Sequence, residues 1–187
     1  IGPLTNLGLA LAKYKELPKL ISRIVLMGGA AVGGNVTPSA EFNIYADPEA
    51  ADMVFTCGAE VVMCGLDATM RAFLTPEELD ELGELGSLQA KFARDAAQGV
   101  LAFSKGYGLP GMSMHDPVTL LYADDDSYFT AKRAGVRVET KGKLTRGKTV
   151  TDLYSDKQME KNAVVVTGID REAFKRRLFE LMTQYGK

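Results

Sequence analysis

Short apolar runs that stop abruptly at glycine most constrain the fold of this chain. The run at 23–27 ends at the pair Gly28-Gly29, and the run at 60–64 ends at Gly65. Such short runs, rich in aliphatic residues and bounded by glycine, are typical of buried strands. Helical patterns separate them, and further strands are predicted at 134–140 and 163–167. This alternation predicts an α/β fold with a mixed, mostly parallel sheet flanked by helices.

The loop after the first run carries polar groups suited to a sugar. It contains the carboxamides Asn35 and Asn43, the carboxylate Glu41 and the aromatic Phe42. Ligands of open α/β sheets bind at the carboxyl ends of strands. A carboxylate accepts hydrogen bonds and a carboxamide both donates and accepts them, which matches vicinal hydroxyls. An ordinary polar surface loop with asparagines in turn positions explains the same residues, so composition alone leaves both interpretations open.

Helix starts can be located from their capping residues. Asp47-Pro48 supplies an N-cap and a first position, and Thr75 to Glu78 form a capping box. Ser87 begins a longer helix that reaches Phe103. Its predicted apolar face consists of Leu88, Phe92, Ala96 and Val100. The glycine-rich segment 104–114, which carries Tyr107, is predicted to be a mobile loop beside the site.

The only histidine, His115, stands next to Asp116 and Pro117 at a predicted helix start. An imidazole titrates near neutrality and can donate a proton, and a carboxylate is a hard ligand for calcium. Helix capping before a proline explains Asp116 equally well. The glycines at 28–34 follow neither the dinucleotide nor the Walker spacing, so a phosphate-cradling role is not predicted.

Composition restricts the partners and the compartment. The net charge of -2 gives no indication of a nucleic-acid or anionic-membrane partner. No apolar run approaches the ~20 residues of a membrane span. The two cysteines, Cys57 and Cys64, match no metal or redox spacing and are predicted to be core residues in a reducing, cytoplasmic compartment. The chain opens at Ile1 without a methionine, which predicts that an upstream segment is missing.

Several motifs together resemble the inosine-uridine-preferring nucleoside hydrolase family, in the order that the family has them. They are Gly2-Pro3-Leu4-Thr5-Asn6, Val25-Leu26-Met27-Gly28-Gly29, Gly34-Asn35-Val36-Thr37-Pro38, Ala40-Glu41-Phe42-Asn43, Asp47-Pro48-Glu49-Ala50-Ala51, Gly65-Leu66-Asp67 and His115-Asp116-Pro117. The resemblance runs from the first residue to the last. It implies calcium-dependent hydrolysis of the N-glycosidic bond of ribonucleosides in nucleoside salvage, by a homo-oligomer that is a dimer or a tetramer.

The resemblance also implies a role for individual residues. The ribose hydroxyls would be bound by Asn35, Glu41 and Asn43. The sugar pocket would be lined by Met27 and Phe42. Calcium would be ligated by the carboxylate of Asp116 and the backbone carbonyl of Ile1. The leaving base would be protonated by His115 or by Tyr107, and a tyrosine at 107 favours uridine and cytidine as substrates.

One feature of the family is not found in these 187 residues. The family begins with an aspartate cluster of the form D-x-D-x-x-x-D-D, which holds the metal and supplies the general base. The acidic run Asp124-Asp125-Asp126 differs from it in place and order. Residues 1–187 are therefore predicted to be the C-terminal portion of a single catalytic domain that is incomplete at its N-terminus. The alternatives are a non-catalytic nucleoside- or ribose-binding module and an inactive structural fragment.

Overall fold

Three parallel strands form where the sequence analysis predicted buried apolar runs. They are β1 (Ile24–Met27), β2 (Val61–Cys64) and β7 (Ala163–Ile169). Strand β2 pairs in parallel with β1 on one side and with β7 on the other. Strands β5 (Phe129–Val138) and β6 (Thr149–Asp152) complete a sheet of order β1-β2-β7-β5-β6, in which β5 and β6 are antiparallel. The predicted α/β fold with a mixed, mostly parallel sheet is confirmed.

The structure is a computed structural model that describes residues 1–155 and 158–184. Two compact units are distinguished: residues 1–68 with 129–168, and residues 69–128 with 169–187. The helices of the first unit are α1 (Thr5–Lys13), α2 (Leu17–Leu20), α3 (Phe42–Ala46) and α4 (Pro48–Phe55). The one-turn helix α5 (Leu66–Thr69) lies where the chain passes from the first unit to the second. The single catalytic domain over 1–187 stays a prediction.

The core of the first unit consists of aliphatic side chains from its sheet and helices. Every residue of β2 is buried, as expected for a strand with neighbours on both edges. The core cluster joins Val61 and Met63 of this strand with Leu26, Ile44 and Phe55. Helix α4 begins at the predicted cap, where the Asp47 carboxylate accepts a hydrogen bond from the Ala50 amide. Burial raises the pKa of the Cys64 thiol to about 12, which suits its predicted role as a core residue.

The second unit is mostly helical. Its elements are β3 (Phe73–Leu74), α6 (Pro76–Glu84), α7 (Leu88–Gly106), β4 (Met112–Ser113), α8 (His115–Asp124), a 3-10 turn (Asp126–Tyr128) and α9 (Arg171–Gln184). The predicted capping box at Thr75 and Glu78 is present. Helix α6 packs against α7, and its Leu79 and Leu82 are almost fully buried. Among the described residues, no helix combines the length and the apolar character that crossing a membrane requires.

The predicted apolar face of α7 is wrong. Leu88, Phe92 and Val100 are exposed, at 79%, 71% and 45% of their surface. The buried positions of the helix are Ala90, Ala97 and Ser104. The periodicity of apolar residues predicted the helix but not the side on which it packs. The packed side carries small residues, which let neighbouring elements come close but are too weakly hydrophobic to stand out in the pattern. This helix therefore presents a row of large apolar side chains to its surroundings.

Candidate active site

The loop between β1 and α3 has a fixed path that its glycines permit. Gly29 has φ +76°, and a Cβ there would lie 2.8 Å from the Thr149 side chain. A Cβ at Gly34 would lie 2.4 Å from the backbone of Ala40. The Ala40 carbonyl accepts hydrogen bonds from the amides of residues 35–37, which closes the loop on itself. Crowding at Gly29 and Gly34, together with the positive φ of Gly29 and Gly33, therefore explains the glycines of this loop.

Glu41 connects this loop to the helix that follows. Its carboxylate is 3% exposed at the residue level and caps α3, where it accepts from the amides of Asn43 and Ile44. The same carboxylate accepts a third hydrogen bond of 2.8 Å from the Gly29 amide. A carboxylate with three backbone donors is held in one orientation, so its negative charge has a fixed position.

The two predicted carboxamides are each held by one end. The Oδ1 of Asn35 accepts from the Phe42 amide at 2.9 Å. The Nδ2 of Asn43 donates to the carbonyl of Met27 at 3.1 Å and contacts its sulfur at 3.3 Å. Within the described ranges, this leaves the Nδ2 of Asn35 and the Oδ1 of Asn43 without a protein partner. The loop therefore offers one fixed donor and one fixed acceptor, a pair suited to hydroxyl groups.

The remaining predicted residues of the first unit differ in exposure. Met27 is 4% exposed and packs against Ala30 and Leu66, whereas Phe42 is 56% exposed at the start of α3. The structure thus brings five predicted residues together at the end of β1, in the loop that follows it and at the start of α3: Met27, Asn35, Glu41, Phe42 and Asn43. Ile1 lies in the same unit with 74% of its surface exposed.

His115 and Asp116 lie in the second unit, in the first turn of α8. The cap position is Met114, whose side chain makes no capping bond, and Asp116 is exposed within the helix. Capping as the explanation of Asp116 is therefore wrong. The Nδ1 of His115 lies 2.8 Å from the hydroxyl of the buried Thr69. Burial lowers the pKa of His115 from its ordinary 6.5, and the charge of Asp116 opposes that shift.

Tyr107 ends a helix and does not lie within a long loop as predicted. Helix α7 continues to Gly106, and the Tyr107 amide still donates to the Ser104 carbonyl. The helix stops there because Gly108 has φ +69°, a conformation outside the helical region. The Tyr107 ring is 72% exposed and lies 4.7 Å from the Phe103 ring, centroid to centroid. The sequence prediction missed this aromatic pair, which its spacing of four residues on a helix could have indicated.

The loop after β1 is also held by three residues with no role predicted from the sequence. They are Asp67, Lys148 and Thr149, which form hydrogen bonds with the backbone of residues 30–33. Lys148 and Thr149 are more than a hundred residues from the loop in sequence. No local pattern could therefore have identified them.

Comparison with known proteins gives consistent results. The family model described as inosine-uridine preferring nucleoside hydrolase matches residues 1–176. The pyrimidine-specific ribonucleoside hydrolase RihA of Shewanella woodyi is 42% identical over 188 residues, which cover all of this chain and 60% of that protein.

Solved structures agree with this family match. A plant nucleoside hydrolase superposes with a TM-score of 0.90 at 34% identity, over 98% of this chain and 60% of its own. A purine-preferring ribonucleoside hydrolase from Gardnerella vaginalis has the same TM-score and identity, over all of this chain and 60% of its own. The chain therefore spans about 60% of the length of the relatives it matches.

Proposed function

Because the chain belongs to the inosine-uridine preferring nucleoside hydrolase family, we propose that this protein hydrolyses the N-glycosidic bond of ribonucleosides. The products are ribose and a free base. The observation that carries the proposal is the loop with Asn35, Glu41 and Asn43, whose free donor and acceptor are fixed by backbone hydrogen bonds. Fixed groups bind a sugar without a further cost of ordering them.

The loop would act on the sugar as it becomes positively charged. Cleavage of a glycosidic bond passes through an oxocarbenium-like sugar. The Nδ2 of Asn35 and the Oδ1 of Asn43 would bind ribose hydroxyls, and Phe42 and Met27 would line the pocket. The fixed carboxylate of Glu41 would stabilise the developing positive charge, because a preoriented charge needs no reorganisation during the reaction.

The departing base must receive a proton, and we assign that step to His115. Only the imidazolium form can donate, and its fraction grows as the pH falls through a pKa below 6.5. General-acid help of this kind contributes about 100- to 10,000-fold in rate. Tyr107 is the second candidate donor, since its exposed hydroxyl is close in sequence to the start of α8.

Calcium dependence is part of the proposal, and the described residues offer no cluster of acidic side chains for it. Calcium takes six to eight oxygen ligands. Within 1–155 and 158–184, no group of three or more His, Cys, Asp or Glu side chains could hold a metal ion. Asp116 and the carbonyl of Ile1 would each contribute one ligand. The side chains of this chain would bind the ribose and protonate the base. The attacking water would form its bond to the anomeric carbon as the bond to the base breaks, and it would lose its proton to the general base of the aspartate cluster that the family resemblance implies.

We propose a preference for pyrimidine nucleosides. The support is Tyr107 and the similarity to the Shewanella woodyi protein, which is named pyrimidine-specific. The Gardnerella vaginalis structure is named purine-preferring and is less similar, at 34% identity. Uridine and cytidine should therefore be cleaved faster than inosine at equal concentration.

The test is ribose release from uridine, cytidine and inosine, with calcium and with a chelator. Release that requires calcium and favours uridine supports the whole proposal. Equal rates for inosine and uridine would remove the pyrimidine preference, and release in the presence of chelator would remove the calcium requirement. An absence of release by the folded chain in all mixtures would contradict hydrolysis.

A ribose-binding module is the second candidate. The loop at 28–43, which we call the sugar loop, favours this candidate because Asn35 and Asn43 are already fixed in it. The described residues contain no cluster of three or more His, Cys, Asp or Glu side chains that could hold a metal ion. Calorimetric titration with ribose in chelator distinguishes the two, because binding without any hydrolysis of nucleosides supports the module. A dimer or tetramer remains a prediction in either case, which light scattering tests.

A further inference from the structure

Residues 30–33 of the loop after β1 are held by two opposite charges that the proposed reaction does not use. The ammonium of Lys148 donates to the carbonyls of Ala30 and Ala31 at 2.8 and 2.9 Å, and to that of Gly33 at 3.3 Å. The carboxylate of Asp67 accepts from the Ala31 amide at 2.6 Å and from the Val32 amide at 3.1 Å. A cation thus binds the carbonyls of this segment while an anion binds its amides.

The residue after Lys148 completes this arrangement. The Thr149 hydroxyl is buried, accepts from the Ala30 amide at 2.9 Å and donates to the Ala30 carbonyl at 2.7 Å. The Thr149 methyl also leaves no room for a side chain at Gly29. The start of β6 therefore fixes the segment in both position and orientation.

Lys148 is partly buried, and its ammonium is directed at backbone carbonyls of one short segment. An ammonium has three donors and no acceptor, and here all three can be used by backbone carbonyls. Burial lowers the pKa of Lys148, while the charge of Asp67 acts in the opposite direction. The desolvation is thus offset by hydrogen bonds to one short segment.

We infer that Lys148 and Asp67 are positioning residues that hold the Asn35 loop in its sugar-binding geometry and thereby set the affinity for ribose. The inference rests on the proposed function. The held segment leads directly into Gly34 and Asn35, and the other end of the loop is fixed by the bond from Gly29 to Glu41. Removal of the ammonium takes the Lys148 donor from the carbonyls of Ala31 and Gly33, while the Ala30 carbonyl keeps its bond from Thr149. The part of the segment next to Gly34 and Asn35 is thereby released.

The kinetic test compares Lys148→Met, which keeps the chain length but removes the donors, with Lys143→Met, an exposed lysine of the same hairpin. Misplacing one hydrogen-bonding group should raise the KM for uridine about tenfold in Lys148→Met. The kcat should change little, because binding of ribose hydroxyls is shared by the ground and transition states. Lys148→Arg, which keeps the charge and donors, should restore part of the affinity. A KM equal to that of Lys143→Met would overturn the inference.

Amide hydrogen exchange provides a readout that does not require activity. In Lys148→Met the amides of Ala31 and Val32 should exchange faster, while those of Val62 and Met63 in β2 keep their rates. Faster exchange throughout both sets would indicate general destabilisation and would contradict a local clamp. If the unaltered chain releases no ribose, the proposed function has failed. In that case hydrogen exchange alone tests whether Lys148 holds the segment. Exchange rates at Ala31 and Val32 that are the same in Lys148→Met and in the unaltered chain would overturn the inference.

Discussion

The sugar loop at 28–43 and the segment 103–116 carry the two parts of the predicted chemistry, and they are built differently. The loop is tied by buried side chains, with Glu41 3% exposed and three backbone amides bound to it. The segment 103–116 instead presents an exposed aromatic pair and an exposed Asp116. In the loop, backbone hydrogen bonds fix the groups that would bind the sugar. In the segment 103–116, His115 is held by its bond to Thr69, whereas Tyr107 and Asp116 are exposed.

The largest expected effect concerns the chemical step. His115→Ala should lower kcat by about 100- to 10,000-fold while the KM for uridine changes little, because the imidazole acts on the leaving base. Asn35→Ala should do the reverse and mainly raise KM. Steady-state kinetics with uridine measure both. If the two variants change kcat and KM in the same proportion, the contrast between the two regions is wrong.

The second prediction concerns the stability of the loop. Glu41→Ala leaves three backbone amides without their acceptor, at a cost of roughly 1–3 kcal/mol for each one that stays buried. The free energy of unfolding should therefore fall by several kcal/mol, as measured by urea denaturation. The matched control is Glu49→Ala, which removes an exposed ion pair with Arg146 and should cost about 0–1 kcal/mol. Equal losses in the two variants would contradict the structural role of Glu41.

The third prediction uses pH to examine the second region. The pKa of His115 is lowered in the folded state. As the pH falls below 6.5, the imidazole is therefore protonated more fully in the unfolded chain than in the folded chain. The free energy of unfolding should therefore fall as the pH decreases from above 6.5 through the lower folded pKa.

His115→Gln should lack this component, and since the chain has one histidine, no other imidazole obscures the comparison. Urea denaturation of both proteins on either side of pH 6.5 measures the difference. A constant difference across that range would show that burial does not disfavour the imidazolium.

The smallest effect is expected on the outer face of α7. Phe92→Ser should change the free energy of unfolding by less than about 0.5 kcal/mol, because the side chain is 71% exposed. Leu82→Ala, at a side chain that is 1% exposed in the neighbouring α6, should cost about 2–5 kcal/mol. A large loss in Phe92→Ser would mean that the exposed row on α7 is packed in solution.

Features that depend on neighbouring residues were predictable from the sequence. The strands that stop at glycine, the Asp47 cap and the Thr75–Glu78 capping box were all placed correctly. The composition of the sugar loop was also readable, since its members lie within a few residues of each other. Their roles in catalysis remain predictions.

Features that depend on distant residues were not predictable. The side on which α7 packs is decided by α6, and the contact of Lys148 with the loop spans more than a hundred positions. The cap of α8 was misassigned because Asp-Pro is a common helix start, whereas here His115 already has helical geometry. For α7 and Lys148 the outcome depends on tertiary packing, which leaves no local pattern in the sequence.

The central position of β2 has a consequence for how the chain is made. Its partner β1 precedes it, but its other partner β7 begins only at residue 163. At about 5–20 residues per second, a ribosome needs roughly 5–20 seconds to make the intervening residues. Throughout that time one edge of a fully apolar strand has no native partner, which makes the nascent chain a target for chaperones and for aggregation. Any shortened version that ends before residue 163 should therefore be recovered mainly in the insoluble fraction.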